Sequence, residues 1–150
     1  MGAQLHALGT NAALWAALGG WFTAQLIKML RSLIATHKLD FSYFVSSGGM
    51  PSAHSALVTA LATAVGRLEG LDSPVFAVAV IFASVVMYDA AGVRLAVSMQ
   101  ARILNHMIDD FFHERGLQPK RLREFIGHTP REVLVGAVVG IVIGVLFTLN

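Results

Sequence analysis

The chain of 150 residues contains no cysteine, and Asp, Glu, Lys and Arg together supply only 13% of it. The missing cysteine excludes disulfides, thiolate metal sites and cysteine nucleophiles. Soluble domains carry about 25% charged residues, so this chain has about half of the usual charge. A soluble helical protein with a large buried core is the alternative, but several long runs almost free of charge favour an integral membrane protein.

Apolar residues take the place of the missing charge, since they make up 55% of the sequence and raise its mean hydropathy to +0.66. They form four runs, at residues 12–34, 51–65, 75–88 and 133–149. Between the last two runs, apolar residues from Ala101 to Phe112 recur at helical spacing and indicate an amphipathic helix that could line a lipid access path. The predicted fold is all-α: one domain over residues 1–150, a polytopic membrane helical bundle of about four transmembrane helices plus an amphipathic helix at the cytoplasmic face.

The basic residues are distributed unevenly over this topology. Ten of the eleven Lys and Arg residues fall on one side of four spans, and only Arg67 falls on the other. Lys and Arg accumulate on the cytoplasmic side of membrane proteins, so we expect both termini outside and the basic face in the cytoplasm. The asymmetry accounts for a pI near 9.4 without nucleic acid as a partner.

Three glycines of the last run, Gly136, Gly140 and Gly144, recur every four residues. This spacing puts them on one helix face and lets another helix approach closely. Packing within the chain is the interpretation that we favour, and a homo-oligomer joined through these glycines is the alternative.

Ionisable and hydroxyl residues at the ends of the runs are the candidates for function, because charged groups at membrane depth are expensive. The predicted topology brings these residues to the cytoplasmic face: Lys28, Arg31, Ser52, His54, Asp89, Arg94, His128 and Glu132.

The stretch GGMPSAH, residues 48–54, begins the second run. Glycines followed by a proline at a helix start leave backbone N–H groups that point out of the helix N-terminus, which is a ready anion site. Ser52 adds a hydroxyl donor, and His54 can carry a proton at neutral pH. The alternative is that Ser52 only caps the helix and that His54 is a packed polar residue.

Asp89 and Arg94 flank the end of the third run. Asp89 needs a partner, and an ion pair with Lys28 or Arg31 is at least as well founded as a catalytic role. Arg94 offers a guanidinium group to a phosphate.

The last run opens with Thr129-x-x-Glu132, which matches a capping box. Glu132 therefore either caps the helix or orients His128, which precedes the cap. Two histidines at helix mouths, with several cations, suit phosphoryl transfer: one attacks phosphorus, the other protonates the leaving oxygen, and the cations stabilise charge. This chemistry requires no metal and no other cofactor.

Three blocks in order, GGMPSAHSALVTALATAVG, YDAAGVRLAVSMQARILN and GHTPREVLVGAVVG, resemble the divergent PAP2 family, also described as acid phosphatase/vanadium-dependent haloperoxidase-related. The resemblance covers about residues 12 to 148. It implies a phosphatase that hydrolyses lipid phosphates without metal through a phosphohistidine, in a pocket that also binds vanadate. It also implies a bacterial plasma membrane, or an organelle membrane of bacterial origin.

The roles of individual residues follow from the same resemblance. His128 would be the nucleophile, Glu132 its orienter and His54 the general acid. Ser52 and Ala53, with nearby backbone amides, would hold phosphate, although Ala53 stands where the wider PAP2 motif PSGH has glycine.

The cationic positions of the wider PAP2 pattern match less closely. No arginine stands at the position that its third motif gives to one, and Arg94 is the candidate replacement. Of its first motif Lys28 is present, but Ala35 stands at the arginine position, so Lys28 and Arg31 are the candidates. The wider family also has six spans against the four counted in this chain.

We therefore expect a metal-independent lipid phosphate phosphatase whose site faces the cytoplasm at the membrane surface. A phosphatidate, a phosphatidylglycerophosphate or a polyprenyl phosphate would each suit. One alternative is a non-catalytic membrane protein that binds a lipid headgroup phosphate or a protein partner, which the missing arginines favour. Another is a CDP-alcohol-type phosphotransferase, which the lack of clustered aspartates disfavours.

Overall fold

A computed structural model of the chain describes residues 2–37, 49–113 and 129–149, and every regular element in those ranges is an α-helix. The helices in chain order are α1 Gly2–Gly9, α2 Ala12–Thr36, α3 Ala53–Glu69, α4 Pro74–Ala91, α5 Val93–His113 and α6 Pro130–Phe147. The prediction of an all-α fold is confirmed.

Four of the helices begin at a capping side chain. Asn11 Oδ1 accepts from the Leu14 N–H at 3.0 Å and caps α2. Ser52, Ser73 and Thr129 accept in the same way from the N–H three residues on and cap α3, α4 and α6. These side chains satisfy N–H groups that have no partner inside the helix, so the local sequence fixes where each helix starts.

Helix α3 lies at the centre of the bundle, and α6 runs parallel to it. A Cβ on Gly136 would collide with the Ser52 carbonyl, and one on Gly140 with the Ala56 carbonyl. At Gly144 it would come 2.7 Å from Thr63 Cβ. The glycines therefore let α6 pack against α3, which confirms packing within the chain. The face that carries the glycines is thus in contact with α3 of the same chain, and a homo-oligomer through these glycines stays a prediction.

Helices α2 and α4 run antiparallel to α3 on its other sides. Gly20 of α2 packs against Ala56 and Ala60 of α3, while Phe76 near the start of α4 lies against Gly66 near the end of α3. The end of α2, the starts of α3 and α6 and the end of α4 thus meet at one end of the bundle. We call it the site end.

The bundle buries small side chains and exposes large apolar ones. Its buried hydrophobic residues are mainly alanines, whereas many Val, Ile, Leu and Phe side chains on α4 and α6 are exposed. Soluble proteins bury their large apolar residues, while helices packed in a membrane meet through small ones. The packing therefore fits a protein whose outer surface is in contact with hydrocarbon.

Two stretches of the described residues are long and apolar enough to cross a membrane, Pro74–Asp109 and Pro130–Phe147. The predicted number of four transmembrane helices is not confirmed by this measure, since α3 has only 17 residues and α2 contains Lys28 and Arg31. The amphipathic helix predicted in the polar stretch is present as α5, with Ile103 and Met107 exposed.

Candidate functional site

A cavity of about 320 Å³ opens at the site end of the bundle. The second half of α2, the turn before α3 and the first turn of α6 form its walls. Its lining among the described residues consists of Lys28, Arg31, Ser32, Gly49, Met50 and Glu132. This cavity is the candidate site.

Lys28 lies on the face of α2 that packs into the bundle. Its side chain is only 3% exposed, and Ala24, one turn earlier on the same face, is fully buried. Glu132 on α6 interacts favourably with the Lys28 ammonium through its charge. A lysine is almost never this deeply buried without a partner charge, and Glu132 supplies one here.

Arg31 lies one turn after Lys28 and connects α2 to the turn before α3. Its Nη1 donates a hydrogen bond to the Met50 carbonyl oxygen at 3.2 Å. A guanidinium group has five N–H donors, so this single bond leaves donors for an anion in the cavity.

Ser52 fixes the start of α3. The residue is fully buried, its Oγ accepts from the Ser55 N–H at 3.3 Å, and its N–H donates to the Glu132 carbonyl oxygen at 2.9 Å. The second bond joins the first turns of α3 and α6. The interpretation of Ser52 as a helix cap is thus confirmed, and its predicted contact with phosphate stays a prediction.

Ala53, at the first position of α3, is 3% exposed and packs with Ala24 and Ala56. Its methyl group fills space between α2 and α3 that a glycine would leave empty. The departure from PSGH therefore has a packing explanation.

Glu132 combines two contacts at the start of α6. Its Oε2 accepts from the Thr129 N–H at 2.8 Å, and Thr129 Oγ1 accepts from the Glu132 N–H at 3.4 Å. The predicted capping box is confirmed. The same carboxylate lines the cavity near Lys28, so Glu132 also balances the buried charge.

Two other predicted residues, His54 and Asp89, are not among the described residues that line this cavity. His54 is exposed at the second position of α3, and Asp89 is half-buried near the end of α4, at the same end of the bundle. Arg94 is on α5, but its side chain lies outside the described residues, as does all of His128. Of the predicted site residues, Lys28, Arg31 and Glu132 line the cavity. His54 and Asp89 lie at the same end of the bundle, whereas His128 and the Arg94 side chain are outside the described residues.

Sequence reasoning missed three contributors to the cavity. Ser32 lies one turn after Lys28 on the same face, which was a usable signal. Gly49 has φ +88°, a left-handed conformation that glycine adopts readily, and it positions the Met50 carbonyl towards Arg31. The role of that carbonyl depends on the approach of α2, which no local pattern indicates.

The electrostatics of the cavity favour an anion. The N-termini of α3 and α6 point to the site end together, and each carries about half a positive charge from its helix dipole. Among the described residues that line the cavity, Lys28 and Arg31 carry two positive charges and Glu132 carries one negative charge. Phosphate and other oxyanions bind at such helix N-termini.

The sequence is similar to those of known proteins. A model of the divergent PAP2 family matches residues 9–143. The chain is 42% identical over 146 residues to the uncharacterized membrane protein YuiD of Bacillus subtilis strain 168, covering 89% of this chain and 92% of that protein. No solved structure matches the chain.

Proposed function

Because the chain belongs to the divergent PAP2 family of membrane proteins, we propose that it is a metal-independent lipid phosphate phosphatase. The cavity at the site end carries this proposal. It places a buried lysine and an anchored arginine beside the N-termini of two parallel helices. A phosphate monoester at a membrane surface is the substrate class that such a cationic cavity suits.

The proposed reaction proceeds in two steps. A ring nitrogen of His128 attacks phosphorus, and the bond from phosphorus to the lipid oxygen breaks as that oxygen takes a proton from His54. Water then attacks the phosphohistidine, gives its proton to His54 and releases inorganic phosphate. Lys28 and Arg31 stabilise the charge on the equatorial oxygens throughout.

Glu132 receives a more specific role in this scheme than the sequence suggested. Since its carboxylate already accepts the Thr129 N–H and faces Lys28, it orients the start of α6 directly. The orientation of His128 by Glu132 stays a prediction, because His128 lies outside the described residues.

The proposed orientation puts the site end in the cytoplasm, on a multi-pass protein. Lys28, Arg31 and Arg131 belong to the described residues near the site end, whereas Arg67 lies at the opposite end next to Thr148. This separation follows the preference of Lys and Arg for the cytoplasmic side.

Binding of a headgroup phosphate without hydrolysis is the second candidate. One observation favours it: in the described part of the chain, the cavity lining does not include His54. A protein that only binds phosphate would need the cations and helix N-termini but no general acid.

Hydrolysis and binding are separated by one assay. The purified protein is offered phosphatidate, phosphatidylglycerophosphate or a polyprenyl phosphate with EDTA present, and released phosphate is measured for wild type, His54→Ala and His128→Ala. His6→Ala, an exposed histidine on α1, is the matched control. We expect both test variants to lose release and the control to keep it.

The remaining outcomes decide between the candidates. Release that survives both substitutions contradicts the phosphohistidine scheme. No release by wild type from any lipid, together with saturable vanadate binding, supports the binding candidate.

A further inference from the structure

A second cavity is lined by α3, α4 and α6, whereas the candidate site is lined by α2, the turn before α3 and α6. It has a volume of about 710 Å³, within the range of ligand pockets, and it is a groove between α4 and α6 with α3 as its floor. Along α3 it extends from Thr59 to Arg67, a length of about 12 Å at the rise of an α-helix.

Two of the hydroxyl groups that line this groove, those of Thr59 and Ser84, already have partners in the protein. The Thr59 hydroxyl has one hydrogen to donate and lies within hydrogen-bond distance of the Ser55 and Ala137 carbonyl oxygens, at 2.7 and 3.1 Å. The Ser84 hydroxyl donates to the Val80 carbonyl oxygen at 2.9 Å. A hydrocarbon chain therefore leaves neither of these two hydroxyls without a partner.

The mouth of the groove opens between the two stretches that are apolar enough to cross a membrane. On either side of it α4 and α6 expose apolar side chains such as Ile81, Val85 and Val142. Bilayer hydrocarbon is thus the medium that reaches the mouth when these helices cross.

One charged residue, Arg67, stands among the groove-lining residues in the described ranges, at the end remote from the candidate site. Its guanidinium is held in place, because Nε donates to Thr148 Oγ1 at 2.7 Å and Nη2 donates to the Thr148 carbonyl oxygen at 3.2 Å. Its position beside the C-terminus of α6 also suits a cation. An apolar groove that ends at a fixed guanidinium matches a molecule with a long hydrocarbon chain and an anionic head.

We propose that this groove binds one anionic phospholipid that is not the substrate, with its acyl chain between α4 and α6 and its phosphate at Arg67. The proposal is independent of the proposed phosphatase, since the groove and the candidate site share no lining residue in the described part of the chain. Packing of α4 and α6, which meet only slightly, would then depend on the lipid.

Native mass spectrometry of the detergent-purified full chain tests the proposal. Phosphatidylglycerol is added, or diacylglycerol with the same acyl chains and no phosphate, and retained lipid is counted. Val80→Phe and Ser84→Phe each fill the groove from α4. Ile81→Phe and Val85→Phe, on the exposed face of the same helix, are matched controls.

We expect wild type and both controls to retain one phosphatidylglycerol, at least about fivefold more often than diacylglycerol, and each filling variant to lose it. Arg67→Gln should reduce phosphatidylglycerol to the diacylglycerol level, and Arg67→Lys should keep the preference because it keeps the charge. Equal retention by filling and control variants, no preference for the phosphate, no retained lipid, or a second copy of the chain in place of lipid would each overturn the proposal.

Discussion

Lys28 is the residue whose placement demands the most explanation. The residue is only 3% exposed, and a Leu or Met at this position would carry no cost of desolvation. The nearby carboxylate of Glu132 offsets part of that cost. A charge kept at such expense is a mark of function more than of stability.

Replacing Lys28 by Met removes the charge and keeps about the same side-chain volume. We expect phosphate release, or vanadate affinity if release is absent, to fall by about 100-fold, the usual loss when one electrostatic donor to a developing charge is removed. The melting temperature should also fall, because the substitution removes the cation that offsets the half-buried Glu132 carboxylate. Arg102→Met, at an exposed position on α5, serves as the control; an equal loss there would contradict the assignment.

Ser55, unlike Lys28, carries a buried polar group to which the structure gives no functional role. Its Oγ is fully buried and has no hydrogen-bond partner within the part of the chain that the structure describes. We expect Ser55→Ala to raise the free energy of unfolding by about 1 kcal/mol, because an unsatisfied buried hydroxyl is removed.

Thr59→Val is the matched comparison for Ser55→Ala. It should lower the free energy of unfolding by about 1 kcal/mol, since the Thr59 hydroxyl lies within hydrogen-bond distance of two carbonyl oxygens. Thermal unfolding in detergent measures both; a destabilised Ser55→Ala protein would show that this hydroxyl has a partner after all.

At the scale of single residues, sequence reasoning succeeded where the cause was local. Thr129 and Glu132 act within one turn of their own helix, and their capping box was predicted from spacing alone. The contact from Arg31 to the Met50 carbonyl joins residues 19 positions apart through the approach of two helices. Such a contact depends on packing, which spacing does not specify.

Three glycines, which have no side chain, determine how helix α6 packs in the bundle. At Gly136, Gly140 and Gly144 the backbone of α3 comes so close that no side chain fits. Close backbone approach increases van der Waals contact along the whole seam, which is the main attraction between helices in lipid.

Gly140→Ala should therefore destabilise the protein, although alanine favours a helix by up to about 1 kcal/mol. The added methyl would overlap the Thr59 hydroxyl and the Ala56 carbonyl, and relief by moving α6 away costs about 1–3 kcal/mol or more. We expect the melting temperature in detergent to fall by at least about 3 °C. Gly9→Ala, where nothing lies within 4 Å of the new methyl, should leave it unchanged or raise it; similar falls in both variants would refute the seam.

The directions of the packed helices limit how the chain can cross the membrane, which no single helix shows. Because α3 and α6 are parallel and α4 is antiparallel to both, α6 begins on the side where α4 ends. Hence α5 and the chain up to α6 start and finish on one side, although Pro74–Asp109 is long enough to continue beyond a single crossing. This arrangement supports an amphipathic α5 at the membrane surface.

Single cysteines test this topology, since the chain contains none. Glu69→Cys lies at the exposed end of α3 and Ala35→Cys near the exposed end of α2, at opposite ends of the bundle. In intact cells we expect a membrane-impermeant maleimide to label Glu69→Cys, and to label Ala35→Cys only after permeabilisation. The reverse pattern would invert the proposed orientation, and labelling of both would refute a bundle that crosses the membrane.

At this scale, composition and charge distribution were enough to predict a helical membrane bundle with a basic end. They could not show that small residues form its interior, because alanine is common on both faces of apolar helices. The number of crossings also stayed open, since α2 and α3 combine modest hydropathy with buried polar residues such as Gln25, Lys28 and Ser55.

The bonds between α3 and α6 set an order of events during synthesis. The hydrogen bond from Thr59 to Ala137 can form only after the residue 78 positions later has been synthesised. The bond from Arg67 to Thr148 spans 81 positions in the same way. Until α6 has been synthesised, the newly inserted α3 lacks this neighbour, and the Thr59 hydroxyl lacks the Ala137 carbonyl oxygen. Nascent chains stalled before residue 130 should accordingly be recognised by membrane quality-control proteases, while chains released a few residues after Thr148 can close the bundle.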